Sequence, residues 1–418
     1  MITFILSAIK IIILLGFLIF IHELGHFTVA KLCKVKVNEF SIGFGKQICS
    51  KRKGETVYSI RMIPLGGFVS MLGEEEKSDD ERSFSRQSIP KRIAIVAAGG
   101  LVNIVFGILV YFLVLLCIGN FPSTTVDNVL ENYNAQEAEI MPGDRIVSIN
   151  DKHIFITKDV NNILEKNSSN ELKIKIKREN EVKEISVMPT EVKSKSLGIY
   201  LDSEDGEHTK ISYIFDDSPA KDILQVGDVI LKVNDKSVEN DYNKLVEELN
   251  KSEGEVRLVI RRENSDIDVT VLPKEYSEYY LGVTFRMADK NFATRFYYAW
   301  FETGNFVISL ADNVKSMFTK GVAVNQMMGP IGISKTVAST TNFYDFIYLM
   351  ALISLSLGIT NLLPFPALDG GKIILLLVEA IRRKPLKEEI EIWIQMIGFS
   401  LLILLSVYIS YVDILRFF

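Results

Sequence analysis

Apolar residues in this chain gather into four long runs, and between the second and third of them the pattern changes to short stretches of alternating apolar and polar positions. A helix needs about 20 predominantly apolar residues to cross a bilayer. Runs of that order cover Ile2–Ile21, broken by Lys10; Ile93–Gly119, holding Asn103; Phe346–Leu363, with Asn361 near its end; and Ile392–Val412, holding Gln395. They predict four transmembrane helices. The first stands where a secretion signal would, yet it has no basic leading stretch and no small-residue cleavage site, so it reads as a retained span. The chain then divides into a first span over 1–32, a loop with β character over 33–91, a second span over 92–119 and an insert over 120–290. An amphipathic segment over 291–343, a third span over 344–372, a loop over 373–391 and a fourth span over 392–414 complete it.

The insert repeats itself. Pro142-Gly-Asp-Arg-Ile-Val-Ser-Ile-Asn-Asp-Lys152 aligns without a gap on Val226-Gly-Asp-Val-Ile-Leu-Lys-Val-Asn-Asp-Lys236, an offset of 84 residues. The same offset aligns Ile176-Lys-Arg-Glu-Asn180 with Ile260-Arg-Arg-Glu-Asn264, and Leu197-Gly-Ile199 with Leu281-Gly-Val283. One offset held across several blocks marks a duplicated domain, here 120–196 and 197–290. Each copy reads as short strands, one helix and two more strands, a small α+β unit. The copies resemble bacterial PDZ domains, which implies a groove and sheet edge that take an extended peptide as an added strand. Peptide capture and a purely steric filter both stay open as the task of the pair. After the second copy, Phe292, Phe296, Tyr297, Trp300, Phe301 and Phe306 are interspersed with charges, the pattern of a helix at a membrane interface or one packed beneath the pair.

Charge orients this scheme. Lysine and arginine crowd the loop between spans one and two, among them Lys31, Lys34, Lys46, Lys51, Arg52, Lys53 and Arg92, and recur at Arg382, Arg383, Lys384 and Lys387 between spans three and four. By the positive-inside rule both loops are cytoplasmic, which puts the repeated insert outside. A net charge of -5 gives no sign of nucleic-acid binding. Cys33, Cys49 and Cys117 all lie outside the insert, so no disulfide framework is implied there, and Cys33 reads as a reduced, partly buried thiol. The mean hydropathy of +0.20 with 24% charged residues fits apolar segments segregated from a polar domain.

The chemistry sits at the end of the first run, in His22-Glu23-Leu24-Gly25-His26. On a helix, positions i and i+4 share a face, so two imidazoles can meet one zinc ion while the glutamate reaches its water. A catalytic zinc site takes three protein ligands and one open position. In the remaining spans one carboxylate stands at the end of the third run, Asp369 in Asn361-Leu-Leu-Pro-Phe-Pro-Ala-Leu-Asp369-Gly-Gly371. Spans one and three enter from the same side, which brings Asp369 to the depth of His22 and His26. Pro364 and Pro366 break the helix just before it, loosening backbone where a substrate would be held, and Asn361 offers an amide to the developing oxyanion. A substrate helix must unwind to be cut. The alternating stretch Thr56–Ile63, with Tyr58 and Ile60, is expected to be the edge strand that takes it up.

With these motifs in view, the chain resembles the site-2 protease family, specifically its bacterial intramembrane proteases with tandem PDZ domains that act on anti-sigma factors. The likeness extends through Phe40-Ser-Ile-Gly-Phe-Gly45, Pro64-Leu-Gly-Gly-Phe-Val69, Ala98-Gly-Gly-Leu-Val-Asn103, Gly329-Pro-Ile-Gly332 and the Asn361–Gly370 motif. It implies one zinc ion held by His22, His26 and Asp369, with Glu23 as catalytic base. It further implies a multi-pass protein of the bacterial inner membrane with its PDZ domains outside the cytoplasm, cutting transmembrane segments of single-pass proteins (anti-sigma factors or signal-peptide remnants) in regulated intramembrane proteolysis. Gly100 stands where the family pattern has proline, which leaves the local shape of the second span open. Two other readings stay on the page: a membrane-anchored zinc protease that cuts at the surface in quality control, and a catalytically idle PDZ scaffold.

Overall fold

The structure, a computed structural model, describes residues 2–74, 78–166, 170–201, 209–215, 218–320, 328–340 and 342–417. Two units are formed, one by Met1–Gly119 with Thr303–Phe418 and one by Asn120–Glu302.

In the first unit, α1 (Ile2–Leu32) takes up the first apolar run, and the chain turns at Lys34, whose φ is 62°. There follow β1 (Val37–Lys53) and β2 (Thr56–Met71), which form one sheet. Both strands fold back on themselves at Gly43, Gly45 and Gly66, where φ is 88°, 83° and 125°, conformations that glycine adopts without steric cost. Val57–Ile60 therefore pair with Glu39–Ile42 on one side and Cys49–Arg52 on the other. Gly67–Ser70 pair only with Glu39–Ile42, so among the described residues their second flank is a free edge, with Cys49–Arg52 forming the opposite one. This corrects the expectation that Thr56–Ile63 is an edge strand. Tyr58 and Ile60 lie inside the sheet, and the Tyr58 ring packs 5.9 Å from Phe27 and 6.2 Å from Phe40. Alternation identifies a strand; the glycine turns decide which strands flank it.

The second apolar run is α2 (Ile89–Ile118), entered through Pro90 in its first turn, where no backbone donor is lost. It stays helical through Gly100. A Cβ there would stand 2.7 Å from Leu362 Cγ and 3.0 Å from the Gly358 carbonyl oxygen, so glycine is what lets the third span approach.

The second unit opens with β3 (Pro122–Val129), α3 (Asn134–Glu137), β4 (Arg145–Ile149), β5 (Lys152–His153), α4 (Thr157–Lys166), β6 (Leu172–Arg178), β7 (Glu181–Val187), β8 (Thr190–Ser196) and β9 (Ile199–Leu201). It continues with β10 (Ile211–Ile214), β11 (Val229–Val233), β12 (Lys236–Ser237), α5 (Tyr242–Lys251), β13 (Val256–Arg262), β14 (Ser265–Val271), β15 (Lys274–Tyr280) and β16 (Val283–Met287). The strands β4, β6, β7 and β8 recur 84 residues later as β11, β13, β14 and β15. Each copy has its own core, and each keeps the same ion pair between a buried carboxylate and a partly exposed arginine, Asp144 with Arg178 and Asp228 with Arg262.

The copies exchange their closing strands. β8 and β15 pair with Lys193 opposite Ser277, so each residue at the centre faces its own counterpart across a pseudo-twofold axis. Beyond that ribbon β9 joins β10, while β16 returns to pair with β3. A division at 196/197 thus assigns β16 to the wrong copy: Leu281, Val283 and Phe285 pack in the first core, whereas Leu197 packs in the second. A linear repeat leaves strand ownership undetermined, because equivalent strands are interchangeable in sequence.

The last helices are α6 (Phe292–Lys320), α7 (Pro330–Ser339), α8 (Phe343–Leu362), α9 (Asp369–Arg382) and α10 (Glu388–Phe417). Among the described residues four helical stretches are long and apolar enough to cross a membrane: Ala8–Leu32, Ile89–Ile118, Phe343–Leu362 and Glu389–Ile414. The third stops at Leu362, short of the expected 372, because Pro364 and Pro366 end it. Helix α9 then occupies much of the stretch expected to be a loop, with Leu376 buried and Glu379 paired to Arg92 at 2.9 Å. Val337 of α7 packs against Leu14 and Leu18 of α1. Lys10, the one charge in the first run, donates from Nζ to the Thr340 carbonyl at 2.7 Å, where α7 ends.

Candidate metal centre

One turn of α1 separates His22 from His26, and their rings stand edge to face with centroids 4.8 Å apart. Their Nε2 atoms are 3.2 Å apart. Asp369, the first residue of α9, brings Oδ2 to 3.2 Å from His22 Nε2 and 3.4 Å from His26 Nε2. Donors placed about 2.0–2.1 Å around a tetrahedral zinc ion stand about 3.3 Å from one another, so the three atoms fit one such ion. The hydrogen bonding agrees. Among the described residues Asp369 Oδ2 is buried with no hydrogen-bond partner, as expected of an atom whose lone pair faces a cation. Among the described residues these three form the one group of histidine, cysteine and carboxylate side chains with metal-ligand spacing.

The far side of each imidazole decides its tautomer. His26 Nδ1 lies 2.9 Å from the Ile95 carbonyl oxygen and donates there, leaving Nε2 with its lone pair free. His22 Nδ1 faces the carboxamide of Asn103, whose nitrogen stands at 3.4 Å while its oxygen is buried with no partner among the described residues. Turning that amide over lets its oxygen accept from Nδ1–H, which satisfies both groups and again frees Nε2. Helix α2 supplies both contacts by passing directly over the rings. A Cβ on Gly99 would meet His26 Nε2 at 2.4 Å and His22 Cε1 at 2.7 Å.

Glu23 lines the same cavity, of about 1360 Å³, beside His22, His26 and Asp369. Its Cγ is 3.3 Å from the place a side chain on Gly67 would take, so the free edge of the sheet passes immediately over it. Phe68, Val69, Ser70 and Met71 continue that edge along the cavity wall. Beyond it, Lys372 of α9 pairs with Glu74 at 3.1 Å.

Four residues singled out from the sequence therefore converge: His22, Glu23, His26 and Asp369. Asn361 lies in the last turn of α8, Pro364 and Pro366 in the break that follows, and Tyr58 and Ile60 inside the sheet; none of the five lines the cavity. Sequence reasoning missed Phe68–Met71, Lys372 and Gln395 on its wall and Asn103 behind His22. For Asn103 and Gln395 a signal was present, since each is a lone amide in an apolar run. Cys33 packs in the apolar cluster around Phe40 and takes no part. Of the other two histidines, His153 sits in β5 and His208 falls outside the described residues.

Residues 10–405 match the model of peptidase family M50. A putative zinc metalloprotease of Vibrio cholerae is 31% identical over 421 residues, with 92% of each chain covered. The regulator of sigma E protease of Haemophilus influenzae is 29% identical over 460 residues, covering 99% of this chain and 100% of its own. The regulator of sigma-E protease RseP of Escherichia coli is 29% identical over 452 residues, with 97% of each covered.

Proposed function

The chain belongs to peptidase family M50 and is a zinc metalloprotease, and from that premise we propose that it cuts single-pass membrane proteins within their transmembrane segments. The observation that carries this reading is the convergence of His22 Nε2, His26 Nε2 and Asp369 Oδ2 within 3.4 Å of one another, with the histidines inside an apolar helix of spanning length. A protease of the membrane surface has no need to place its ligands there.

His22, His26 and Asp369 would hold a single zinc ion. Bound there, zinc supplies Lewis acidity at the scissile carbonyl and makes water a stronger acid. Glu23 takes a proton from the attacking water and passes it to the leaving amide nitrogen. Ile95 and Asn103 keep both imidazoles in the tautomer that ligation requires. The free edge at Gly67–Met71 pairs with the unwound substrate as an added strand, holding its backbone extended above Glu23. This role passes to Gly67–Met71 from Thr56–Ile63, whose two flanks are already occupied.

The four apolar helices and the bacterial relatives fit a bacterial inner-membrane protein. Lysine and arginine in the loops favour a cytoplasmic β sheet and an external repeat unit. There the PDZ-like pair would screen substrates by size, admitting those whose external domain has already been removed. Relatives named as regulators of sigma-E protease support a role in sigma-factor regulation, and the substrate class we assign is membrane-anchored anti-sigma factors or signal-peptide remnants. Mass spectrometry of the products from a purified single-pass substrate tests the reading: new termini should fall inside its apolar segment, and termini confined to flanking loops would refute it.

A further inference from the structure

Helix α10 is the least embedded of the four spans, with 6% of its apolar window buried against protein. One of its polar side chains, Gln395, reaches the break between α8 and α9. Gln395 Oε1 accepts the backbone N–H of Ala367 at 2.7 Å. Ala367 is two residues before Asp369 and takes φ 73°, a left-handed conformation that costs energy in any residue with a Cβ. Pro366 beside it has no N–H to offer. One turn further along α10, Gly398 lies against that proline, and a Cβ on it would stand 2.3 Å from Pro366 Cβ. The amide nitrogen of Gln395 is buried with no partner among the described residues, so the carboxamide is kept for its acceptor side.

We propose that Gln395 is a positioning residue for Asp369, setting the zinc affinity of the site from the fourth span. The inference rests on the reading of His22, His26 and Asp369 as the zinc ligands. The physical argument is that of ligand orientation. A donor must sit within about 0.5 Å of its place to be useful to a metal. In the strained step leading to Asp369 the N–H groups of Phe365 and Leu368 bond locally, to the carbonyls of Leu363 and Phe365, whereas that of Ala367 is held from outside by Gln395. Removing that acceptor lets Ala367 relax toward ordinary φ and turns the start of α9, carrying Oδ2 away from the imidazoles.

The test is the zinc dissociation constant of the full-length protein in detergent, by chelator competition, with zinc as the only ligand. Gln395→Met keeps the length of the side chain and loses the acceptor; it should weaken binding at least about tenfold, the usual effect of losing a group that orients a ligand. Gln395→Glu keeps an oxygen at the acceptor position and should stay within about threefold of wild type, a rescue that a merely space-filling role does not give. Gly398→Ala disturbs the same step from the neighbouring turn and should weaken zinc as well, even if the methionine variant does not fold. Wild-type affinity in Gln395→Met, or equal weakening by methionine and glutamate, overturns the proposal. Asp369→Asn in the same assay separates the two levels: if it weakens zinc while Gln395→Met does not, only the role of Gln395 falls, and if it leaves zinc unchanged the ligand assignment itself fails.

Discussion

Asp413 Oδ2 accepts the backbone N–H of Gly332 at 2.8 Å, so a carboxylate carried by the fourth span caps the first turn of α7. At the other end of that helix Lys10 of the first span binds the Thr340 carbonyl. Acid at the N-terminus and base at the C-terminus is the arrangement the helix dipole favours. Two charges that are costly in a bilayer are thereby used at the two ends of one short helix.

Asp413→Ala should lower thermal stability by about 1–2 kcal/mol, the loss expected for an N-cap, with Asp413→Asn retaining most of it because an amide oxygen can still accept. Melting of the detergent-solubilised protein checks the order wild type, asparagine, alanine. Equal stability of the alanine variant would show that the α7 contact is incidental.

The repeat unit has a pH limit of its own. Burial alone would raise the Asp144 carboxyl, but the Arg178 guanidinium and the Met141 amide outweigh it and hold the group below its ordinary value of 3.8. A carboxyl depressed in the folded state stabilises the fold above its unfolded pKa, and that stabilisation is lost as pH falls through the folded one. Acid unfolding of the unit should therefore begin below about pH 4, and Arg178→Met, which strands a carboxylate only 1% exposed, should cost about 3 kcal/mol at neutral pH. An acid transition unchanged in Arg178→Met would remove the pair from the account.

Strand exchange makes an unusual deletion safe. Excising 197–280 removes one repeat length and leaves β16 free to close the first sheet against β3, so a protease-resistant domain should remain. Excising 197–290 removes β16 too, and the first copy should be digested. Identical digestion of both variants would contradict the exchange. In cells, loss of the whole pair should permit cutting of substrates that still carry bulky external domains if the pair is a size filter, and should slow the cutting of trimmed substrates if it captures a peptide end.

How much of this could be read from the sequence depended on the range of the interactions. His22 and His26 are joined by helical periodicity, and Asp369 is marked by the Pro-x-Pro break before it, so the three residues that converge were legible from local chemistry. The free edge at Gly67–Met71 was not. Alternation over Thr56–Ile63 is real, but its neighbours are fixed by turns at Gly43, Gly45 and Gly66. The ownership of β16 was hidden for the related reason that copies of one sequence offer equivalent pairings. Lys10, Asn103 and Gln395 stood out as polar residues in apolar runs, yet their partners lie far away in the sequence: Thr340 for Lys10, His22 for Asn103 and Ala367 for Gln395.

In the proposed mechanism Glu23 moves the proton at a site whose zinc would be held by His22, His26 and Asp369. Glu23→Gln tests it most directly, with zinc content and cleavage of a single-pass substrate measured on the same membrane preparation. The account predicts one zinc per chain in both proteins and cleavage reduced by at least about a thousandfold in the variant, since no acceptor for the water's proton remains. Near-normal turnover in Glu23→Gln with zinc retained would contradict it.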